Sequence, residues 1–351
     1  MWQDSPARQA GVAVRSHAAP IAAAVVDRIY AERTDWGQDS YKDHHAKSVR
    51  DVEYHVRYLC EALWADDVHL FLSYVDWTTE LFAGLGFSER VLPDTLRHLQ
   101  DELHTRFTSP LIEAVDGFLI AAQARQCTPL HALPYIAAGQ PFADLALDYL
   151  SLLLDARRHE AAKRVLDVVE QGARVEEIYL HVFQPVQQEI GRLWQTNRIS
   201  VAQEHYATAA TQFVMAQLYP YIFAAPRCGR RLVATSVGNE LHELGVRMVA
   251  DFFEMAGWDT YYLGANTPTP SVLRAVADYR ADALGISATL TPHIAQVAEL
   301  VGAARQLPSR PVILVGGYPF NLSPSLWQQV GADGTASDAQ RAVRVAEQLL
   351  A

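Results

Sequence analysis

Cysteine is scarce: Cys60, Cys127 and Cys228 are the only three in 351 residues, odd in number and far apart. That spacing excludes a disulfide framework and a CxxC metal or redox site, and leaves each as a small apolar residue. Long apolar runs are missing too. Although 50% of the residues are hydrophobic, no stretch reaches the roughly 18 uninterrupted apolar residues of a membrane span. Positive charge is in deficit, with 29 Lys and Arg against 40 Asp and Glu and a formal net charge of -11. Such a balance repels a phosphate backbone, and no basic patch offsets it, so neither nucleic acid nor a membrane is an expected partner. Residues 1–16 carry Asp4, Arg8 and Arg15 and no apolar core ahead of a small-residue cleavage site. With no secretory signal in view, the cytoplasm is the expected compartment.

The length suits two or three domains. Val49, Val52, Val56, Leu59, Cys60 and Leu63 recur at spacings of three and four, which predicts an amphipathic helix over 48–64. Further helices are predicted over 70–85, 96–106 and 108–126, with breaks at Gly84, Gly86 and Pro93. The stretch from Cys127 to Pro141 reads as a linker. A second helical block, 142–223, has room for four helices. Within it Ser200 and Gln203 form a capping box that starts a helix at Val201, and Pro185 must cost its helix one backbone hydrogen bond. After Pro226 the period changes. Short apolar strands at 231–236, 260–263, 283–287, 312–315 and 334–336 alternate with helices at 246–256, 270–279, 294–306, 323–329 and 339–350, the pattern of a doubly wound parallel sheet. The expected architecture is therefore multidomain, α plus α/β: an all-α domain over 1–130, a four-helix bundle over 140–226 and a Rossmann-like domain over 230–351.

In such sheets ligands bind beyond the carboxyl ends of the strands, where the winding reverses. The unusual residues of this chain collect there. The first strand runs into Gly238-Asn239-Glu240-Leu241-His242-Glu243-Leu244-Gly245, the third ends in Ser287-Ala288-Thr289-Leu290, and the fourth in Gly316-Gly317. No GxGxxG follows the first strand, which argues against a dinucleotide. Glu240-x-His242-x-x-Gly245, with the serine and the glycine pair at their strand ends, resembles the signature of cobalamin-binding domains, except that aspartate is usual where Glu240 stands. The resemblance implies His242 as the lower cobalt ligand in place of the cofactor's own base. It implies Glu240 and Ser287 as the residues that orient it, Gly245 and Thr289 beside it, and Gly316 and Gly317 as the opening of a slot for the nucleotide tail. A ligating imidazole whose other nitrogen meets a carboxylate has a fixed tautomer and is a better donor.

The helical block adds Trp194, then nine residues, then Glu204-His205. A short loop between antiparallel helices brings these side chains to one end of a hairpin. The pattern resembles the cobalamin-dependent photoreceptors typified by the transcription factor CarH. That resemblance implies adenosylcobalamin as cofactor, Trp194 and Glu204 around the adenosyl group, and His205 as the upper cobalt ligand after illumination. The helical segment ahead of the bundle resembles the photocobilins, which implies a globin-like domain and biliverdin as second chromophore. Tyr54, His55, Tyr58, Trp64, Tyr74 and Trp77 are candidates to line its pocket or to build the core, and His44-His45 reads as a loop pair within reach of propionates.

The leading expectation is thus a photoreceptor rather than an enzyme, one that passes its signal through a homo-oligomer or a downstream signalling protein. The chain ends soon after the last helix, so a response is expected to leave through an interface. Two alternatives stand beside it: a corrinoid carrier protein of a methyltransferase system, and a cobalamin-responsive regulator without photochemistry.

Overall fold

The computed structural model describes residues 5–32, 38–125 and 134–351, and the chain divides into two units. The first comprises Met1–Leu130 with Leu290–Ala295 and Leu322–Gln329; the second comprises His131–Thr289, Gln296–Asn321 and Val330–Ala351. Cys127 and the rest of the expected linker up to residue 133 lie outside the described residues.

In the first unit, six helices precede the linker: α1 (Pro6–Arg15), α2 (Ala18–Glu32), α3 (Gln38–Ala65), α4 (Val68–Gly84), α5 (Val91–Arg106) and α6 (Leu111–Gln123). The first two escaped the sequence reading, though their start is marked. Ser5 caps α1 by accepting from the Arg8 amide at 3.2 Å, and Pro6 opens the helix, where a missing N–H costs nothing. Helix α3 begins ten residues before the expected Ser48. Tertiary contacts carry its polar first turns: Tyr30 Oη meets Ser48 Oγ at 3.1 Å and His45 Nε2 meets Asp27 Oδ1 at 2.8 Å. His44-His45 is therefore helical, not a loop. Pro93 is no break either, because it falls in the first turn of α5, where proline is tolerated.

The aromatic set packs largely against itself. Tyr58 and Tyr74 stack at 3.7 Å, His55 is buried with Nδ1 2.7 Å from Tyr74 Oη, Trp64 is buried under Arg8, and Tyr54 stands exposed. The observed contacts of these rings are with one another and with neighbouring side chains, the arrangement expected of a core.

The second unit opens with the helical block: α7 (Ala143–Leu154), α8 (Arg158–Glu170), α9 (Val175–Ile178), α10 (Gln184–Gln195), α11 (Val201–Gln217) and the single turn α12 (Tyr219–Ile222). A π-helical turn, Tyr179–Phe183, joins α9 to α10 directly before Pro185, so one long rod carries a bulge where proline withholds its donor. The predicted capping box is present, with the Gln203 amide donating to Ser200 Oγ at 3.3 Å and the Ser200 amide to Gln203 Oε1 at 3.0 Å.

The strands are β1 (Arg231–Ser236), β2 (Asp259–Gly264), β3 (Ala283–Ser287), β4 (Val312–Gly316) and β5 (Gly334–Thr335), all parallel in the order β2-β1-β3-β4-β5. Central strands covered on both faces read as near-continuous apolar runs, which is what LVATS, ALGIS and VILVG are. Helices α13 (Leu244–Met255), α14 (Thr269–Tyr279), α15 (Ile294–Ala304), α16 (Tyr318–Leu322), α17 (Leu326–Gln329) and α18 (Ala339–Leu349) follow the strands. One apolar cluster runs from Tyr149, Tyr179 and Phe183 of the helical block to Phe253 and Trp258 beside the sheet. No helix among the described residues is long and apolar enough to cross a membrane.

Candidate cofactor site at the carboxyl ends of the strands

The chain leaves β1 for β2 on one side and returns to β3 on the other, so the winding reverses between β1 and β3. At that point Ser236, Ser287 and Gly316 lie side by side in register. The loop after β1 is held open above them. Asn239 takes a left-handed conformation (φ 63°) while its amide donates to Asn266 Oδ1 at 2.7 Å. The Asn266 amide in turn donates to the Glu240 carbonyl at 3.0 Å.

Glu240 is fully buried, and its carboxylate joins the two strand ends. Oε2 accepts from the Thr289 amide at 2.7 Å; Oε1 accepts from the His242 amide at 3.0 Å and lies 2.6 Å from His242 Nδ1. Burying a carboxylate is costly unless donors surround it, and here three do. The imidazole itself is 56% exposed. Its pKa is raised, chiefly by the hydrogen bond to Glu240; burial opposes this, and the negative charges of Glu240 and Glu204 add to it. With Nδ1 protonated toward Glu240, Nε2 keeps its lone pair, the form that ligates a metal.

Other expected residues divide. Thr289 contributes its amide, as described. Ser287 is half-buried at its strand end, but among the described residues it is Ser236, not Ser287, that holds the histidine loop, donating from Oγ to the His242 carbonyl at 3.2 Å. A Cβ on Gly245 would meet nothing within 4 Å, and one on Gly316 would meet only the Ala336 carbonyl at 3.8 Å, so both leave open space. Gly317 differs. At φ 109° its Cβ would fall 2.0 Å from the Ala288 carbonyl oxygen, so this glycine exists for a close backbone approach rather than to open a channel. Beyond it, Thr335 Oγ1 is buried without a hydrogen-bond partner.

On the hairpin of α10 and α11, Trp194 is half-buried one residue from the end of α10, and Glu204 and His205 lie in the first turns of α11. His205 Nδ1 is 2.5 Å from Glu204 Oε2, and Thr208 Oγ1 donates to Glu204 Oε1 at 3.1 Å. The charge of Glu204 is felt at His242, whereas the His205 side chain is 75% exposed. Four residues escaped the sequence reading. Ser236 and Asn266 fix the loop, and Glu243 binds Gln212 of α11 at 2.8 Å. Asn266 was detectable as a turn residue after a strand and Ser236 as a hydroxyl six residues before the carbonyl it meets, whereas Gln212 and Glu243 have no local signal because they lie 31 residues apart.

The fit to a corrinoid rests on this donor set: one imidazole nitrogen free beside a buried carboxylate, open glycine positions at the strand ends, and an orphaned buried hydroxyl at Thr335. The comparisons agree. Residues 230–344 match a family model described as B12 binding domain, and residues 145–219 match a second model of the same description. The two segments take in the sheet and the helices before it, and together they are similar to a B12-binding module. Dimethylamine corrinoid protein 2 of Methanosarcina mazei is 28% identical over 122 residues, 34% of this chain and 56% of that protein. The chain thus spans little more than half the length of that relative. A corrinoid protein of Desulfitobacterium hafniense is 25% identical over 168 residues, 46% of this chain and 76% of that protein. In fold, the module is like the monomethylamine corrinoid protein of Methanosarcina barkeri, with a TM-score of 0.53 and 19% identity over 60% of this chain and 100% of that one.

These findings overturn the photoreceptor reading. All three of these proteins are corrinoid proteins by name, one of them of dimethylamine and one of monomethylamine, and both matched family models describe B12 binding rather than a light sensor or a bilin domain. The error has a physical source. A helical cap carrying Trp194, Glu204 and His205 beside a cobalamin domain suits any protein that covers the upper face of a corrin, so the pattern does not select photochemistry.

Proposed function

We propose that this chain is a corrinoid carrier protein of a methyltransferase system, with His242 as the lower cobalt ligand and methyltransferases as its partners. A bound corrinoid supplies a cobalt centre that takes up and gives away a methyl group. The residues of the chain do the rest. Glu240 keeps the His242 Nδ1 proton in place, which leaves Nε2 as the ligating atom, and it ties that histidine to Thr289 across the switch point. Gly316 leaves room at the end of β4 and Gly245 at the start of α13, and Thr335 on the neighbouring strand β5 offers an unsatisfied hydroxyl. Trp194, Glu204 and His205, on the α10–α11 hairpin, would line the upper side of a bound corrinoid. The observation that carries the reading is the buried Glu240 clamp on an otherwise exposed histidine.

The test is a methyl transfer. The loaded protein, reduced to cob(I)alamin and given a methylated amine with a methylamine methyltransferase, is expected to pass from the cob(I)alamin to the methylcobalamin absorption spectrum. A protein that binds cobalamin yet stays unmethylated with monomethylamine, dimethylamine and methanol systems alike contradicts the carrier role.

A further inference from the structure

One residue past the proposed ligand, Glu243 is a junction. Its Oε1 accepts from Gln212 Nε2 of α11 at 2.8 Å, and its Oε2 accepts from Tyr262 Oη at 3.2 Å and from the Ala265 amide at 3.3 Å. Gly264, at φ 79°, leaves the carboxylate its seat, since a Cβ there would stand 3.3 Å from Oε2. His242 thus sits between two carboxylates: Glu240 pulls its loop toward the end of β3, and Glu243 pulls it toward β2 and the helical bundle. Two turns further along α13 a second polar contact reaches the bundle, where Tyr179 Oη donates to Asp251 Oδ2 at 2.8 Å. Helix α13 is therefore tied to the bundle at its start and again two turns along.

We propose that Gln212 and Tyr262 are positioning residues that act through Glu243 to brace the His242 loop against α11, so that the cap and the lower-ligand loop respond together. This rests on the reading of His242 as a cobalt ligand. A carboxylate accepting three donors cannot leave its place without orphaning all three, and the loop carrying His242 inherits that stiffness. When α11 is displaced from the upper side, the displacement reaches the lower ligand through a single side chain. The brace thereby couples access at the upper side to ligation below.

The experiment uses the whole chain and a charge swap. Gln212→Glu sets two carboxylates against each other, and the double variant Q212E/E243Q restores one donor facing one acceptor while leaving an oxygen for Tyr262 and Ala265. In the cofactor-free protein, amide hydrogen exchange over 239–244 is expected to run about tenfold faster in Q212E and to return to within about twofold of the wild-type rate in the double variant. The fraction of bound cob(II)alamin with a histidine ligand, read by electron paramagnetic resonance, is expected to fall and recover in the same order. A general loss of structure would not produce that recovery. Wild-type exchange in Q212E, or no recovery in the double variant, overturns the brace. If the wild-type chain takes up no cob(II)alamin, the corrinoid reading falls, and the exchange rates still decide the brace.

Discussion

Replacing Glu240 by glutamine removes one negative charge and almost no volume. Glu240 is fully buried, and its two oxygens accept from Thr289 N, His242 N and His242 Nδ1 at 2.7, 3.0 and 2.6 Å. Glutamine offers one acceptor oxygen, so its amide group must face an N–H of either Thr289 or His242. One hydrogen bond to a charged group is lost, about 1.5–3 kcal/mol, and a buried donor is left facing a donor. A net loss of about 3 kcal/mol is expected in urea unfolding of the cofactor-free protein. Hydrogen exchange distinguishes this local failure from a general one, because the Thr289 amide should lose protection while amides in the middle of β3 keep theirs. Glu240→Asp should behave differently: the shorter side chain keeps a charge for His242 but falls short of Thr289, and about half the loss is expected. An unchanged unfolding midpoint in Glu240→Gln, with Thr289 as protected as in the wild type, would refute the claim that this carboxylate holds the two strand ends together.

Two glycines predict opposite outcomes. Gly317→Ala forces a Cβ to within 2.0 Å of the Ala288 carbonyl at φ 109° and should cost more than about 3 kcal/mol, or abolish folding of the sheet. Gly245→Ala meets open space within a helix and should raise the stability of the cofactor-free protein by about 0.5–1 kcal/mol; thermal melts of the two variants check both. Burial pushes the His55 imidazole down from 6.5 to about 4. Since its pKa is lowered on folding, the neutral form is favoured and its contribution is complete above pH 6.5. As pH falls toward 4 that contribution is lost, up to about 3 kcal/mol. The pH dependence of stability in His55→Gln minus that of the wild type should show this loss removed, and parallel curves would contradict it.

The second unit was the more legible in sequence because its elements are local. The strands of the sheet are short apolar runs between amphipathic helices, and β1 and β3 fall at their predicted residues. Capping by Ser200 and Gln203 involves neighbours in the chain, so it too could be read directly. The start of α3 could not, because its polar first turns are held by Asp27 and Tyr30 of another helix. The same limit applies at the site. Glu240 and His242 are two residues apart and stood out; Thr289, 49 residues from Glu240, was reached only through the family resemblance and its bond to the carboxylate was not foreseen, and Gln212, 31 residues from Glu243, was missed altogether. Trp194, Glu204 and His205 were located on one hairpin as expected, yet residue types on a cap say what a pocket wall is made of and not which reaction it serves.

The central claim is that the imidazole of His242 ligates cobalt. The protein is grown with histidine carrying the heavy nitrogen isotope, loaded with unlabelled cob(II)alamin and examined by electron paramagnetic resonance. Nitrogen hyperfine splitting that changes from a three-line to a two-line pattern, and vanishes in His242→Ala, is the predicted result. A three-line pattern that survives both the labelling and the substitution would show that the cofactor keeps its own base, and would contradict the assignment of His242.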